Sequence, residues 1–487
     1  MRRLSNATLS ALPSAVARPA YDRADVSPGI VHLGVGAFHR CHQAVYVDDR
    51  LAAGETGWGI VAASLRKGDV RDALGPQDGL YGLAVRADSG TRHRVIGSIS
   101  DVLVAPEAPG RLLDALCDPR VRIVTLTVTE KGYCIDIAGG ALRTGDADLD
   151  HDLAGGAPRT PLGFLAAAIA RRRAQRAPPF TVLSCDNLPH NGATVRKAVL
   201  AFARRRDPAL ARFVEDEIAF PSCMVDRIVP ATTDSDRAEI AAALGLEDAW
   251  PTVCEPFSQW VVEDRFPSGR PRLEEAGVEF VADVAPHEHM KLRLLNGAHT
   301  SIAAAGRLAG FATVAEAFAD PAIRGFVDAY WREVAPTLAV GEPAARDYAA
   351  RLAARFANRA LPHRTAQIAM DASQKVPQRL LGGLRDLRKA GRPFGATAMA
   401  VALWIRSCGG FDDEGQAFAI DDPVFARWTG APDQRSAGAD EVVAAYLGFA
   451  AVFGDDLPRD GDFVDALARA YADVAGRGTL AAVRAVR

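Results

Sequence analysis

The first half of the chain alternates short apolar runs with longer amphipathic stretches. The apolar runs have the length of buried strands and cover residues 30–33, 59–63, 121–126 and 180–184. Between them lie segments with helical periodicity, such as 161–176 and 194–206. Buried strands separated by helices are typical of a parallel sheet with helical crossovers. The pattern therefore predicts an α/β domain over residues 1–285.

From about residue 286 the pattern changes. Apolar positions now recur with helical spacing in alanine-rich segments at 290–308, 321–335, 342–356, 396–408, 440–452 and 462–476. This periodicity predicts amphipathic helices, and Pro286 marks the change. We therefore expect two domains, with a mostly α-helical C-terminal domain over residues 286–487.

Composition narrows the class of protein. The chain has 487 residues, 49% hydrophobic and 24% charged, with a formal net charge of −3, as in ordinary globular proteins. This balance gives no reason to expect nucleic acid or an anionic membrane as a partner, and no apolar run has the length of a transmembrane helix. The seven cysteines form no CxxC pair, which favours reduced thiols, no zinc site and a cytoplasmic location.

The first predicted strand runs into a glycine-rich turn, Gly34-Val35-Gly36, and then into Ala37, Phe38 and His39. In a dinucleotide-binding domain the first glycine allows the tight turn, and the second lets a pyrophosphate approach the backbone. His39 stands where the fingerprint has Gly or Ala. The turn and the three residues after it are therefore candidate cofactor contacts.

The end of the second strand leaves the choice of cofactor open. Asp69 could hold the ribose hydroxyls of NAD, whereas Arg66 and Lys67 could accommodate the 2′-phosphate of NADP. A solvated loop would have the same composition. We expect NAD, with NADP as the alternative.

Lysine is rare in this chain, so each lysine is more informative than usual. Only six of the 57 basic residues are lysine. One of them begins the segment Lys291-Leu292-Arg293-Leu294-Leu295-Asn296-Gly297-Ala298-His299. An arginine cannot be deprotonated in a protein, whereas a desolvated lysine can become neutral near pH 7 and accept a proton.

On an α-helix Lys291 and His299 would lie on one stripe, with Asn296 beside it. The lysine could then take a hydroxyl proton, while Asn296 donates to the alkoxide and His299 orients the oxygen. An ordinary amphipathic helix with a solvent-reaching lysine explains the same spacing. The rise from 291 to 299 is roughly 12 Å on an ideal helix, so both ends can reach one oxygen only if the backbone departs from that geometry, which Gly297 would permit.

These motifs resemble those of the polyol-specific long-chain dehydrogenase/reductase (mannitol dehydrogenase) family. The resemblance runs over nearly the whole chain and includes HLGVGAFHRCHQA at 32–44, TVTEKGYC at 127–134, SCDNLPHNG at 184–192, FPSCMVDRIVP at 220–230, MKLRLLNGAH at 290–299 and HRTAQIAMDASQKVPQRLL at 363–381. It implies an extended Rossmann-type N-terminal domain followed by a mostly α-helical C-terminal domain. It also implies a metal-independent, NAD(H)-dependent oxidoreductase acting on CH–OH groups, and a monomer.

The resemblance further implies roles for individual residues. The catalytic roles fall on Lys291 as general base, Asn296 and Asn187 as the pair that stabilises the alkoxide, and His299 as the histidine that binds substrate. The remaining roles fall on Glu288 as a proton relay, Lys375 as a substrate contact, and Asp226 and Glu130 as residues beside the cofactor.

The substrate end is where this chain departs from the members that oxidise mannitol. Those members place an arginine eight residues before the position of Lys375, where this chain has Gln367. Instead, His363-Arg364 and Lys131 resemble the members that act on D-fructuronate, and Arg364 and Lys131 could hold a carboxylate or serve the structure. We therefore expect interconversion of D-mannonate and D-fructuronate. A neutral polyol such as mannitol or arabinitol is the alternative substrate, and a non-catalytic nucleotide-binding protein is the alternative outside enzymes.

Overall fold

The structure is a computed structural model that describes residues 1–136 and 141–486. The side chains of Glu130 and Lys131, both named as candidates above, lie outside the described residues. The chain divides into two compact units, Met1–Ala285 and Pro286–Arg487, which we call the N-terminal unit and the C-terminal unit.

The strands lie in the N-terminal unit. In chain order they are β1 (Pro28–Leu33), β2 (Gly59–Ser64), β3 (Tyr81–Ala87), β4 (Gly90–Ile96), β5 (Ile99–Val104), β6 (Ile123–Leu126), β7 (Thr181–Ser184), β8 (Cys223–Asp226), β9 (Thr252–Cys254), β10 (Gln259–Glu263) and β11 (Glu279–Val281). Its α-helices are α1 (Ala37–Cys41), α2 (Gln43–Ala52), α3 (Asp69–Leu74), α4 (Pro109–Cys117), α5 (Thr129–Gly132), α6 (Ala147–Leu153), α7 (Pro161–Gln175), α8 (Asn191–Arg206), α9 (Pro208–Glu217) and α10 (Asp234–Leu244).

The C-terminal unit is built from helices. Its α-helices are α11 (Ala285–Met290), α12 (Gly297–Leu308), α13 (Val314–Ala319), α14 (Pro321–Val334), α15 (Glu342–Phe356), α16 (Thr365–Ala369), α17 (Ala372–Val376), α18 (Gly382–Lys389), α19 (Gly395–Ser407), α20 (Pro423–Arg427), α21 (Ala439–Leu447), α22 (Ala450–Phe453), α23 (Gly461–Arg477) and α24 (Thr479–Arg484). Two π-helices occupy Lys291–Asn296 and Pro377–Leu381. Short 3₁₀-helices of the two units lie at Asn6–Ala11, Arg23–Asp25, Thr56–Trp58, Gly75–Gln77, Leu273–Ala276, Ala335–Thr337 and Leu457–Arg459.

The main sheet of the N-terminal unit has five parallel strands in the order β5-β2-β1-β6-β7. Ile30 of β1 lies opposite Ile60 of β2 and Ile123 of β6. Successive side chains of β1 pack into different cores, because Val31 and Leu33 face one side of the sheet and Ile30 the other. Burial on both faces explains why these strands read as continuous apolar runs.

The four predicted strands are confirmed as β1, β2, β6 and β7, and the α/β class of this unit is confirmed with them. The edge strand β5 escaped prediction because Ser100 and Asp101 are exposed and interrupt its apolar run. Two smaller sheets, ordered β4-β3-β9 and β11-β10-β8, were also not predicted. Their strands are short or have a solvated face, which weakens the apolar signal.

The mostly helical class of the C-terminal unit is confirmed as well. Helix α19 is buried along nearly its whole length, as its apolar sequence indicates. The main departure falls in the predicted helix over 290–308. Here α11 ends at Met290, the π-helix follows, and α12 begins at Gly297.

Among the residues the structure describes, no helix combines the length and apolar character needed to cross a membrane.

Candidate active site

The glycine-rich turn connects β1 to α1, and its two glycines have different physical roles. Gly34 adopts a φ of +99°, and a Cβ placed there would lie 2.1 Å from the carbonyl oxygen of Thr127. Gly36 precedes α1 with a φ of −75°, and a Cβ there would meet no atom closer than 3.9 Å. Packing therefore requires glycine at 34 but not at 36. The open space beside Gly36 fits a ligand that approaches the backbone, as a pyrophosphate does.

A buried histidine on β1, His32, forms a hydrogen bond that stabilises this turn. The Gly34 carbonyl can only accept, so His32 Nε2–H donates to it over 2.9 Å, and Nδ1 accepts from the Thr125 hydroxyl at 2.8 Å. Burial lowers the pKa of His32 to about 3, which keeps the ring neutral, and the hydrogen bond to the Gly34 carbonyl fixes the tautomer. The Thr127 hydroxyl donates to the same Gly34 carbonyl over 2.6 Å.

The predicted cofactor contact His39 has its side chain inside the unit. Its ring stacks on His32 with centroids 3.4 Å apart and planes inclined by 9°, and it is fully buried. Burial, and then the neighbouring His32, lower its pKa. Because the ring is enclosed, only the backbone of His39 is left to meet a cofactor. Phe38 is half-buried and stacks on His42 at 5.0 Å, and Ala37 is the first residue of α1.

The residues after β2 lie on the surface. Asp69 is the first residue of α3 and is exposed, as are Arg66 and Lys67. A phosphate or ribose can therefore reach all three side chains.

A carboxylate that the sequence did not single out fixes the loop after β6. Asp186 accepts from the backbone N–H groups of Val128 (3.1 Å) and Thr129 (2.9 Å) and from the Tyr133 hydroxyl (2.6 Å). Thr129 has a φ of +64°, which is uncommon for a residue other than glycine. Burial raises the pKa of Asp186, and its hydrogen bonds oppose that shift. Asp186 thus joins the loops that follow β6 and β7.

Two predicted site residues of the N-terminal unit lie near strand ends. Asn187 follows Asp186 and is exposed, and Asp226 is the last residue of β8 and is 5% exposed. The carboxyl ends of parallel strands are where ligands of such sheets bind. Asn187 follows such a strand, which suits its predicted role.

The segment that carries Lys291 and Asn296 is a π-helix. Its wider turn is marked by the N–H of Gly297 donating to the carbonyl of Leu292, five residues earlier. Lys291 and Asn296 are also five residues apart, so they stand one above the other on one face. Lys291 is only 8% exposed, which contradicts the alternative of a lysine that reaches into solvent. The backbone also departs from ideal α-helix geometry between Lys291 and Asn296.

Two side chains of helix α14 donate to carbonyl groups of this π-helix. The Tyr330 hydroxyl donates to the Arg293 carbonyl (3.0 Å) and the Trp331 indole to that of Leu294 (2.9 Å). The Thr300 hydroxyl donates to the Asn296 carbonyl over 3.0 Å. A Cβ at Gly297 would lie 2.1 Å from the Tyr330 hydroxyl. Glycine is therefore needed at position 297 for Tyr330 to pack against the π-helix.

The second π-helix directly follows the predicted substrate contact Lys375. The Lys375 ammonium donates to the carbonyls of Ile368, at 3.2 Å, and Met370. Burial, and then the charge of Arg379, lower its pKa, while Asp371 and Asp422 act in the opposite direction.

His299 lies in α12 at 7% exposure. Its ring centroid is 5.1 Å from that of His363 and 4.7 Å from that of Phe356. Within the described part of the chain, His299 Nε2 has no hydrogen-bond partner. Burial lowers the pKa of His299 most, followed by repulsion from the protonated form of His363 and from Arg355, Arg379 and Lys291. His363, whose pKa is lowered to about 4 by burial and by Arg355, is likewise neutral at pH 7.

The other candidate residues of the C-terminal unit are more exposed to solvent than Lys291 and His299. Arg364 and Gln367 are exposed, and Arg364 is not among the main charges that act on His299. Glu288 lies half-buried on α11, three residues before Lys291. The sequence missed Arg355 and Arg379, although Arg379 stands four residues after Lys375 in a motif already quoted.

Comparison with known proteins decides the family. Residues 28–275 match the model of the mannitol dehydrogenase Rossmann domain, and residues 283–475 match the model of the mannitol dehydrogenase C-terminal domain. The chain belongs to the mannitol dehydrogenase family. The predicted family is thereby confirmed, and so is the Rossmann type of the N-terminal domain.

Individual relatives of this family differ in their substrates. The chain is 43% identical to the D-mannonate oxidoreductase of Escherichia coli (strain K12) over 479 residues, 97% of this chain and 98% of that one. It is 41% identical to the mannitol 2-dehydrogenase of Cereibacter sphaeroides over 467 residues, 94% and 97% of the two chains. The solved ternary complex of Pseudomonas fluorescens mannitol 2-dehydrogenase with NAD and D-mannitol is similar at a TM-score of 0.85 and 39% identity, over 99% of each chain.

These identities are too close to choose between substrates, so the choice rests on the chemistry of the site. Within residues 1–136 and 141–486, no group of three or more His, Cys, Asp or Glu side chains could hold a metal ion.

Proposed function

We propose that this protein is an NAD(H)-dependent oxidoreductase that interconverts D-mannonate and D-fructuronate, with Lys291 as the general acid and base. The observation that carries the proposal is the environment of His299. A buried lysine and a neutral histidine share one short segment, and the positive charges of Arg355 and Arg379 act on that histidine. A sugar acid supplies the carboxylate that such surroundings favour.

NAD(H) is the proposed cofactor, and when bound it supplies or accepts the hydride. Gly34 shapes the turn, and the open space at Gly36 and the backbone of residues 37–39 would hold the pyrophosphate. We assign Asp69 to the ribose, and Asp226 and Glu130 to the cofactor on the family resemblance. The Pseudomonas fluorescens relative was solved with NAD, which supports NAD over NADP.

Lys291 moves the proton in this proposal. In reduction its ammonium gives a proton to the former keto oxygen, and in oxidation the neutral amine takes the hydroxyl proton. Burial disfavours the charged form of an amine, which assists release of the proton. Glu288, half-buried three residues earlier, keeps the relay role implied by the family.

Two further side chains of the C-terminal unit orient the oxygen. The Asn296 amide can donate to it, and its backbone is fixed because its carbonyl accepts from Thr300. The unpartnered Nε2 of the neutral His299 can bond a sugar hydroxyl without adding a charge. Asn187 and Lys375 keep the roles of second alkoxide donor and substrate contact that the resemblance implies, and His363 lies against the His299 ring.

A neutral polyol is the second candidate substrate, because relatives named mannitol 2-dehydrogenase match the chain nearly as well. A panel of D-fructuronate, D-fructose and other ketoses, each with NADH and with NADPH, tests the choice through the loss of reduced-cofactor absorbance. We expect the highest kcat/KM for D-fructuronate with NADH. A higher value for D-fructose would contradict the sugar-acid assignment, and no activity with any substrate would contradict the enzyme.

The proposed enzyme acts as a monomer in the cytoplasm. The seven cysteines are all free of disulfide bonds, which supports a reducing compartment. Size-exclusion chromatography with light scattering, and fractionation of the cells that produce the protein, test these two points.

A further inference from the structure

Lys375 and Arg379, two cations near the second π-helix, differ in how well their charges are compensated. Lys375 donates to two backbone carbonyls, and the carboxylates of Asp371 and Asp422 favour its charged form. Arg379, one turn further on, has neither kind of support. Its side chain makes one hydrogen bond, from Nη1 to the Thr300 hydroxyl at 3.1 Å, and no ion pair with any carboxylate that the structure describes.

This guanidinium is largely withdrawn from water. Burial is the one cause that lowers the pKa of Arg379, to about 10, which still leaves it charged at pH 7. A charge taken out of water without a partner is costly. Four of its five N–H donors make no hydrogen bond to the described residues, since one N–H of Nη1 alone is bonded, to Thr300.

A fully structural arginine of the same chain shows the contrast. Arg172 in α7 is 2% exposed and donates to the backbone carbonyls of Pro178, Leu116, Asp118 and Val121. Its donors are matched by protein oxygens, as expected for a buried group that stabilises the fold.

The position of Arg379 links it to the chemical segment. Thr300, which accepts from Arg379, directly follows His299 and donates to the carbonyl of Asn296. Asn296, His299 and Thr300 are spaced for one helix face. The Arg379 carbonyl also lies 3.4 Å from the Tyr330 hydroxyl that supports the first π-helix. The guanidinium therefore stands beside the groups proposed to bind the reacting oxygen.

We propose that Arg379 binds the substrate carboxylate and so selects a sugar acid over a neutral polyol. The inference rests on the proposed function, since it assumes that Lys291, Asn296 and His299 bind the reacting end of the substrate. The sequence had offered Arg364 for this task. Arg379 replaces it here, because Arg364 is exposed and Arg379 contacts the site through Thr300.

The test compares kcat/KM for D-fructuronate and D-fructose in the wild type, Arg379→Gln, Arg379→Lys and Arg364→Gln. Arg379→Gln should lower the value for D-fructuronate by about 10- to 100-fold, the range of a lost charge-assisted bond, mainly through KM. The value for D-fructose should change by less than about threefold. Arg379→Lys should fall between, because it keeps the charge but loses the planar fork.

Arg392→Gln is the matched control, because Arg392 is an exposed arginine of the same unit and forms no side-chain bond with the described residues. Thermal unfolding shows whether each variant folds. If Arg379→Gln does not fold, the substrate preference of Arg379→Lys tests the inference instead. Equal losses for both substrates would show a merely structural role and overturn the inference. So would a change of preference in Arg364→Gln alone.

The two proposals fail differently. A wild type that prefers D-fructuronate while Arg379→Gln keeps that preference overturns the role of Arg379 only. A wild type that reduces D-fructose and ignores D-fructuronate overturns the substrate, and the carboxylate role with it.

Discussion

The glycine-rich turn after β1 and the π-helix at Lys291–Asn296 are both short departures from regular structure, but they are held in different ways. In the turn, the sequence itself carries the geometry, because only glycine fits at position 34. In the π-helix, the residues are ordinary helix formers. Its geometry depends on hydrogen bonds from Tyr330 and Trp331, which lie on helix α14. The sequence near the turn is therefore enough to predict its geometry. The geometry of the π-helix depends on tertiary contacts that the local sequence does not show.

His32 and His299, one buried histidine from each region, differ in their hydrogen bonds. Both ring nitrogens of His32 are hydrogen-bonded, so it serves the fold. His299 has an Nε2 without a partner among the described residues, and the charges of Arg355 and Arg379 act on it. An unmatched buried polar atom costs stability, and in the proposed site a sugar hydroxyl would supply the missing hydrogen bond to His299.

The largest effect is expected at the π-helix. Lys291→Ala should lower kcat by about 10²- to 10⁴-fold, the usual contribution of a general acid or base, while NADH still binds. Lys291→Arg should fail as well, because arginine does not release its proton near neutral pH. Steady-state kinetics and NADH fluorescence titration measure the two quantities. An active alanine variant would show that the proton is moved by another group.

The two glycines of the turn form the next test. Gly34→Ala should lower the free energy of unfolding by at least about 2 kcal/mol, because it combines a left-handed φ with a clash against Thr127. Gly36→Ala should leave urea unfolding unchanged and raise the KM for NADH. If Gly36→Ala unfolded the protein and left KM unchanged, the space beside Gly36 would not be a cofactor site.

The support of the π-helix predicts a smaller loss. Tyr330→Phe removes the donor to the Arg293 carbonyl and should cost about 1–3 kcal/mol of stability, the penalty of an unsatisfied buried acceptor. Activity should fall with D-fructuronate and with D-fructose alike, since both need the same segment. Tyr348→Phe, which alters a buried tyrosine of α15, is the comparison variant. A substrate-selective effect of Tyr330→Phe would argue against a general supporting role.

The last prediction concerns pH and leaves stability at neutral pH unchanged. Burial lowers the pKa of His363 from 6.5 to about 4, so as pH falls the unfolded chain takes up this proton first. The stability contributed is complete above pH 6.5 and is lost as pH falls toward 4. His363→Gln should therefore reduce the pH dependence of unfolding in this window by at most about 1.4 kcal/mol per pH unit. Urea titrations at several pH values test this, and an unchanged slope would contradict a neutral buried His363.

The sequence predicted what depends on neighbouring residues. Strands buried on both faces, such as β1 and β6, appeared as apolar runs, and the scarcity of lysine drew attention to Lys291. What depends on distant contacts was missed. Asp186 matters because it binds loop amides near residue 128, and Arg379 because Thr300 lies beside it. No local pattern contains either contact.

The most direct test of the central claim is a competition experiment. The purified protein receives equal concentrations of D-fructuronate and D-fructose with limiting NADH, and the products are quantified by mass spectrometry. Because the product ratio equals the ratio of the two kcat/KM values, one measurement reads the specificity. We expect D-mannonate to predominate. A product that is mainly mannitol would contradict the sugar-acid assignment.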